Sequence, residues 1–203
     1  VPSLKNTPMF VGKDSPQVGQ IPSIVLCNPN FAHNVGMTVR LASCYGFKQV
    51  WFTGDRVQLE LERKKRLPRE ERMKGYRDVT MINYDRPLEQ FPRDVVPIAV
   101  EVRKNSERLD QFEHPKNAVY VFGPEDGSIP QSILTCCHRF LIIPTQKRYC
   151  LNLATAVATI LWHRAHQLGE LPDVSDDTGI GYQDSDPNDV GVFGSSAWPP
   201  EEE

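Results

Sequence analysis

Six short runs of this 203-residue chain read as strands, and several stay apolar on both faces where a half-buried strand would alternate with polar residues. They are SIVLCNP (23–29), QVWFTG (49–54), VTMINY (79–84), PIAVEV (97–102), NAVYVFG (117–123) and RFLIIPT (139–145), rich in Val, Ile and aromatic residues. Successive side chains of a strand point to opposite faces, so a run that is apolar throughout must be covered on both. That arrangement belongs to parallel sheets flanked by crossover helices. Between the runs lie AHNVGMTVRLASCYG (32–46), a charged stretch around 58–74, SERLDQF (106–112), PQSILTCC (130–137) and LNLATAVATILWHRAHQLG (151–169), all expected to be helical. Strands alternating with helices predict an α/β domain with a doubly wound, mostly parallel sheet.

Three parts are expected along the chain. Residues 1–22 carry Pro2, Pro8, Pro16 and Pro22 with little periodicity and read as an extended N-terminal arm. Residues 23–169 hold the α/β pattern. Residues 170–203 are acidic, rich in Gly, Pro and Ser, and aperiodic, so a flexible tail is expected. The net charge of −3 hides an asymmetry. Residues 1–168 hold all 23 Lys and Arg against 16 acids, whereas 169–203 hold 10 acids and no Lys or Arg. A basic body with an acidic tail points to contact with a polyanion. The last helical stretch is apolar at Leu153, Ala156, Val157, Ile160 and Leu161, with Trp162 beside them, a pattern for a core or a subunit interface.

Several classes are excluded. No apolar run approaches the roughly 18 residues of a spanning helix, so no membrane association is expected. The opening VPSLKNTPMFVGKDSPQ lacks a basic segment followed by an apolar one, so no secretory leader is expected. The cysteines are Cys27, Cys44, Cys136, Cys137 and Cys150, an odd count without C-x-x-C. This argues for reduced thiols in the cytoplasm and against a disulfide scaffold or a cysteine zinc site. His163 and His166 stand i,i+3 without a third ligand nearby, read as surface residues, and no metal is expected.

Three segments fall just beyond the carboxyl ends of predicted strands, where α/β sheets bind ligands. In NPNFAHNVGMTVRLASCYGF (28–47), Asn34 suits a helix N-cap and Gly36 a close backbone approach. Arg40, among apolar neighbours, needs an exposed face or an anionic partner. In VFGPEDGSIP (121–130), Glu125 sits in a turn where it can accept bonds from backbone N–H groups or a ligand. In LIIPTQKRYCLNLATA (141–156), Asn152 suits a helix cap, and Cys150 reads as a small buried thiol rather than a nucleophile. Each segment alone is compatible with an ordinary turn or cap. Neither a P-loop nor G-x-G-x-x-G is present, which argues against a nucleotide-binding enzyme of those kinds.

Taken together, the order and spacing of these segments resemble the three motifs of the SpoU/TrmH branch of the SPOUT RNA methyltransferases, from about Ser23 to Gln167. Motif 1 corresponds to Asn34-Val35-Gly36 with Arg40, Ala42 and Gly46-Phe47. Motif 2 corresponds to Phe122-Gly123-Pro124-Glu125 with Gly127, and motif 3 to Ile143-Pro144 and Leu151-Asn152-Leu153. Cys150 stands where many members carry Ser. The resemblance implies an α/β domain with a C-terminal deep trefoil knot, S-adenosylmethionine as cofactor, homodimers, and methyl transfer to a ribose 2′-hydroxyl of RNA. Small members without an added domain often act on tRNA, which favours tRNA over rRNA. Carried over by position, Asn34 and Arg40 are the catalytic residues. Gly123, Ile143 and Leu151 would line the cofactor site, Glu101 is a further candidate there, and Glu125 and Asn152 would order it. A catalytically idle RNA-binding protein of the same fold is the alternative. RNA contact is expected in Arg56–Arg77, which holds nine basic residues and four acids, with Lys64, Lys65 and Arg66 at its centre. A solvated helix with Glu60–Lys64 and Glu62–Arg66 pairs is the plainer reading of that stretch.

Overall fold

The structure, a computed structural model, describes residues 10–11, 17–57, 59, 78–147 and 149–172. Eight strands are β1 (Phe10–Val11), β2 (Ser23–Leu26), β3 (Gln49–Phe52), β4 (Thr80–Asn83), β5 (Val96–Val100), β6 (Glu107–Arg108), β7 (Ala118–Phe122) and β8 (Arg139–Ile142). Among the described residues stand the α-helices α1 (Ala32–Cys44), α2 (Gln131–Leu134) and α3 (Leu153–Gln167). All belong to one unit, Val1–Gly169, while Glu170–Glu203 forms another, of which only residues 170–172 are described. The strands form one sheet in the order β1-β4-β3-β2-β7-β5-β8-β6, and every pairing is parallel.

The apolar runs are strands because the sheet buries most of them on two faces, β8 being the partial exception with only Leu141 fully buried. On one face Ile24, Leu26, Val50, Phe52, Met81, Ile98, Tyr120 and Phe122 meet Val35, Val39 and Ala42 of α1 and Val157, Ile160 and Leu161 of α3. On the other, Val25, Trp51, Ile82, Ala99, Val119 and Val121 meet Phe91, Val95, Ile129 and the α2 residues Ile133 and Leu134. Each fully buried aliphatic side chain contributes about 1.5–3 kcal/mol relative to exposure. The buried Trp51 indole donates to Gln49 Oε1 at 3.1 Å, so its polar edge is satisfied. Helix α1 stops at Gly46, whose φ of +76° suits a residue without Cβ. The Phe47 N–H then returns to the Ala42 carbonyl at 2.8 Å, and Phe47 and Ala42 are both buried.

One feature of the order is decisive for the site. Strand β8 lies between β5 and β6, and Val100 and Glu107 are both level with Leu141. The connector 101–106 therefore straddles the carboxyl end of β8. This strand order, with the helix after β8 packed on α1, is consistent with a C-terminal trefoil knot.

The structure corrects several local expectations. SERLDQF (106–112) is not a helix. Glu107–Arg108 pair with β8 as β6, and Leu109–Gln111 form a 3₁₀ turn. Seven residues are too few for a stable isolated helix, and the open edge of β8 offers backbone partners instead. Arg139 of β8 reinforces this by donating to both Glu107 carboxylate oxygens. The 130–137 helix shrinks to Gln131–Leu134. Within the residues read as an arm, Phe10–Val11 pair with Met81–Ile82. Cys150 is exposed, not buried, because the loop before α3 runs over the surface. Cys27 and Cys137 are buried, and each thiol is pushed up to about 12, chiefly by burial.

His163 is half-buried rather than a free surface residue, because α3 is latched to the β6–β7 connector. Gln167 accepts from the His114 N–H at 2.7 Å and donates to the Phe112 carbonyl at 2.8 Å. His114 Nε2 lies 2.9 Å from His163 Nδ1, and His114 Nδ1 lies 2.6 Å from the buried Tyr120 hydroxyl. Burial, then the charges of His163, Arg164 and Arg139, pushes His114 down to about 3 from its ordinary 6.5. A histidine held neutral by the fold stabilises it fully above its unfolded value and progressively less as pH falls. Stability should therefore decline by about 1.4 kcal/mol per pH unit from near pH 6.5 toward pH 3 through this group. Urea unfolding from about pH 8 down to about pH 5, compared with His114→Gln, checks this. Equal slopes in the two proteins would assign the decline to other groups.

Candidate active site

Strand β2 sits between β3 and β7, and the chain winds outward from it in both directions, a topological switch point. The loops after β2, β7 and β8 meet beyond the carboxyl ends there. They are joined by one run of hydrogen bonds whose direction is fixed from both ends. Asn152 caps α3, its Oδ1 accepting from Ala154 N at 2.9 Å and Thr155 N at 3.4 Å. Its Nδ2 must then donate, and it does, to Asn34 Oδ1 at 3.1 Å. Asn34 Nδ2 in turn donates to Glu125 Oε1 at 2.5 Å. The other Glu125 oxygen accepts from the Asn30 N–H at 2.7 Å. A carboxylate that only accepts, at the N-terminal end of α1, is also favoured by the helix dipole.

Asn34 is thus not the N-cap of α1. Phe31 holds that position without a side-chain cap, and Asn34 lies in the first turn, buried, with its amide turned across the site. Its partners stand 91 and 118 residues away in the chain. Asn152 is a cap, as its position before the apolar helix suggests, and it is also the link between motifs 1 and 3. Arg40 is half-buried on α1 and makes no hydrogen bond or ion pair with a described residue. Six residues separate it from Asn34, about 9 Å along the axis and about 120° around it. It does not join the Asn34–Glu125–Asn152 run within one chain.

Glu101 leaves the end of β5 and accepts from the Ile129 N–H at 3.1 Å, so it ties the loop after β7 to the 101–106 connector. Gly123 is half-buried in the same place. A Cβ there would lie 3.1 Å from Ile129 N and 3.3 Å from Ser128 C, so a side chain would have to push this loop outward by a few tenths of an ångström. Gly123→Ala should cost about 1–3 kcal/mol through this overpacking, with Gly123→Val costing more, read as a lowered urea midpoint. Ile143 is half-buried and Leu151 exposed in the loop that follows β8. The backbone N–H groups of Cys150 and Leu151 donate to no described residue. Asp126, next to Glu125, is held by Arg56 at 2.9 Å, which pulls its carboxyl below the usual range. Arg56 opens the basic stretch, but Lys64, Lys65 and Arg66 lie outside the described residues. Nothing local in the sequence signalled the His114–His163 pair or the bonding of Asn30, since both depend on segments distant in the chain.

Among the described residues no helix is long and apolar enough to cross a membrane, and no cluster of three His, Cys, Asp or Glu side chains is placed to hold a metal ion. Comparison with known proteins finds a tRNA (cytidine-2′-O-)-methyltransferase, TrmJ, of Methanocaldococcus jannaschii, 25% identical over 152 residues. The match covers 69% of this chain, and the chain spans 65% of that protein's length. A structure solved in work on the 2-OH methylation of C/U34 on tRNA superposes with a TM-score of 0.61 at 26% identity, over 72% of this chain and 90% of that one. An AdoMet-bound rRNA methyltransferase from Sinorhizobium meliloti shares the fold, with a TM-score of 0.58 at 21% identity, over 75% of this chain and 58% of that one. The model of the SpoU rRNA methylase family matches residues 22–162, most of the chain and all three of the segments that meet at the switch point, and the protein belongs to that family.

Proposed function

We propose that this protein is an S-adenosylmethionine-dependent RNA methyltransferase acting on a ribose 2′-hydroxyl, with tRNA the favoured substrate. The observation that carries the reading is the fixed run Asn152–Asn34–Glu125, which binds the three motif loops into one site at the switch point. The similarity to a tRNA 2′-O-methyltransferase supports the choice of tRNA.

The residues present fit the cofactor. Backbone N–H groups at Cys150 and Leu151 that donate to no described residue, with the apolar Ile143 and Leu151 side chains, suit an adenosine, whose ring takes edge hydrogen bonds and apolar faces. The sulfonium of bound S-adenosylmethionine supplies an activated methyl group. The protein then supplies positioning and charge. Glu101 and Glu125 hold the loops that would grip the cofactor. Arg40 offers a planar cationic guanidinium, so its role is to stabilise a developing alkoxide or hold the adjacent phosphate rather than to act as a base.

The offset of Arg40 from Asn34 supports a homodimer. Trp162, 51% exposed on α3 and stacked on His166 at 5.3 Å, is a candidate anchor for a second copy. Lys64, Lys65 and Arg66 would track phosphates. Residues 1–22 as an arm, 23–169 as the methyltransferase domain, 170–203 as an acidic tail, and a cytoplasmic location complete the proposal.

Labelled methyl transfer to total RNA, followed by nucleoside mapping, tests it. The expected products are 2′-O-methyl nucleosides, concentrated in tRNA. Methyl groups found only on bases would reject the ribose assignment, and calorimetric binding of NAD but not S-adenosylmethionine would reject the class.

A further inference from the structure

We propose that Phe31 and Tyr149 are stacking platforms for unpaired bases next to the target ribose, so that the substrate segment is a single-stranded RNA loop and not a duplex. The inference rests on the RNA reading above and adds the residues and the RNA conformation that the site selects.

Nine large apolar residues are exposed among the described residues, and four of them, Phe31, Val102, Tyr149 and Leu151, lie on the loops at the carboxyl edge of the sheet. Single exposed apolar residues are ordinary, but a concentration around one site is not. The two aromatic rings hold equivalent places. Phe31, 54% exposed, stands three residues before Asn34, and Tyr149, 77% exposed, stands three residues before Asn152. The Asn34–Asn152 bond of 3.1 Å holds their two segments together. Tyr149 is presented on a braced turn. Its N–H donates to the Lys147 carbonyl at 2.8 Å, and the Thr145 hydroxyl bonds to that same carbonyl.

Charge at this edge favours a polyanion as the occupant. The carboxylates here have partners, Glu125 with Asn30 and Asn34, Glu101 with Ile129, and Asp126 in an exposed ion pair with Arg56. The exposed Lys104 and Lys147 ammonium groups pair with no described acid. Cations and exposed aromatic rings along one edge are what a single strand uses, its phosphates meeting the cations and its unpaired bases offering faces to the rings. Bases within a duplex have their faces covered by their neighbours and read instead through shape and the shallow groove.

The test uses the full chain and a single-stranded oligoribonucleotide of about a dozen nucleotides carrying one 2-aminopurine, whose fluorescence falls on stacking. Binding with quenching is expected for the wild type. Tyr149→Ala and Phe31→Ala should each weaken binding about 10-fold and reduce the quench. Tyr149→Phe should behave as wild type, because the ring is kept, while Phe31→Leu should not, because the apolar volume is kept and the ring is lost. All four variants should bind S-adenosylmethionine normally and keep the wild-type oligomeric state, and none should alter binding to a blunt RNA duplex.

Oligonucleotide binding that is indifferent to the rings overturns the proposal. So does lost S-adenosylmethionine affinity with RNA binding intact, which would assign the rings to the cofactor pocket. Dissociation of an oligomer in the alanine variants would assign them to a protein interface and overturn it equally. Ring-dependent quenching without methyl transfer to any RNA would reject the enzymatic reading and leave the platforms standing. Methyl transfer with unchanged KM and kcat in the alanine variants would do the reverse.

Discussion

Replacing Arg40 by alanine is expected to lower single-turnover methyl transfer about 100-fold, the usual effect of deleting one electrostatic donor from a transition state. S-Adenosylmethionine affinity should stay near wild type, because a group acting on the ribose oxygen or its phosphate contributes little to ground-state cofactor binding. The side chain is half-buried without a hydrogen-bonding partner among the described residues, so no network collapses with it. Arg40→Lys should recover little, since a point charge does not reproduce the planar fork of a guanidinium. Calorimetry and rapid-quench transfer on the same Arg40→Ala sample separate the possibilities. Unchanged transfer would remove Arg40 from the chemistry, and loss of cofactor binding together with a lowered Tm would make it a structural residue.

Loss of Glu125 should act on both stability and rate. Glu125→Ala leaves the Asn30 N–H and the Asn34 amide without their acceptor in a partly buried place. Each donor so orphaned costs about 1–3 kcal/mol. The Asn34 amide would also lose its fixed orientation, and transfer should fall by about 100-fold, since donors must be held in place to act. Glu125→Gln is the sharper comparison. Its carbonyl can serve one donor, but its NH₂ group then faces the other, so stability should be recovered in part and activity should not. Denaturant midpoints and kcat measured on both variants check this. Full activity in Glu125→Gln would mean that the run from Asn152 to Glu125 is only a brace for the loops and not an orienting device for Asn34.

What the sequence determined by itself is local. The six runs that became strands were legible because several, buried on both faces, show no polar alternation, and their ends agree with the structure to within a few residues. Helices α1 and α3 were legible from their apolar period, and the cap at Asn152 from its place before that period. The candidate site was legible only as three segments whose order matched a family. The tertiary structure decided what those segments do to one another. A hydrophobic pattern says that a residue is buried, not against what, and a side-chain amide has no preference for one distant carboxylate over another. Asn34 therefore read as a helix cap, although its partners Glu125 and Asn152 arrive from 91 and 118 residues away once β7 and β8 are in the sheet. Residues 106–112 read as a helix because their polar sequence permits one, and became β6 because β8 had an edge to offer. His163 read as solvated until the β6–β7 connector brought His114 against it. In each case the deciding interaction spans a crossover, and its free energy exists only after the chain entropy of that crossover has been overcome by the core that both strands share.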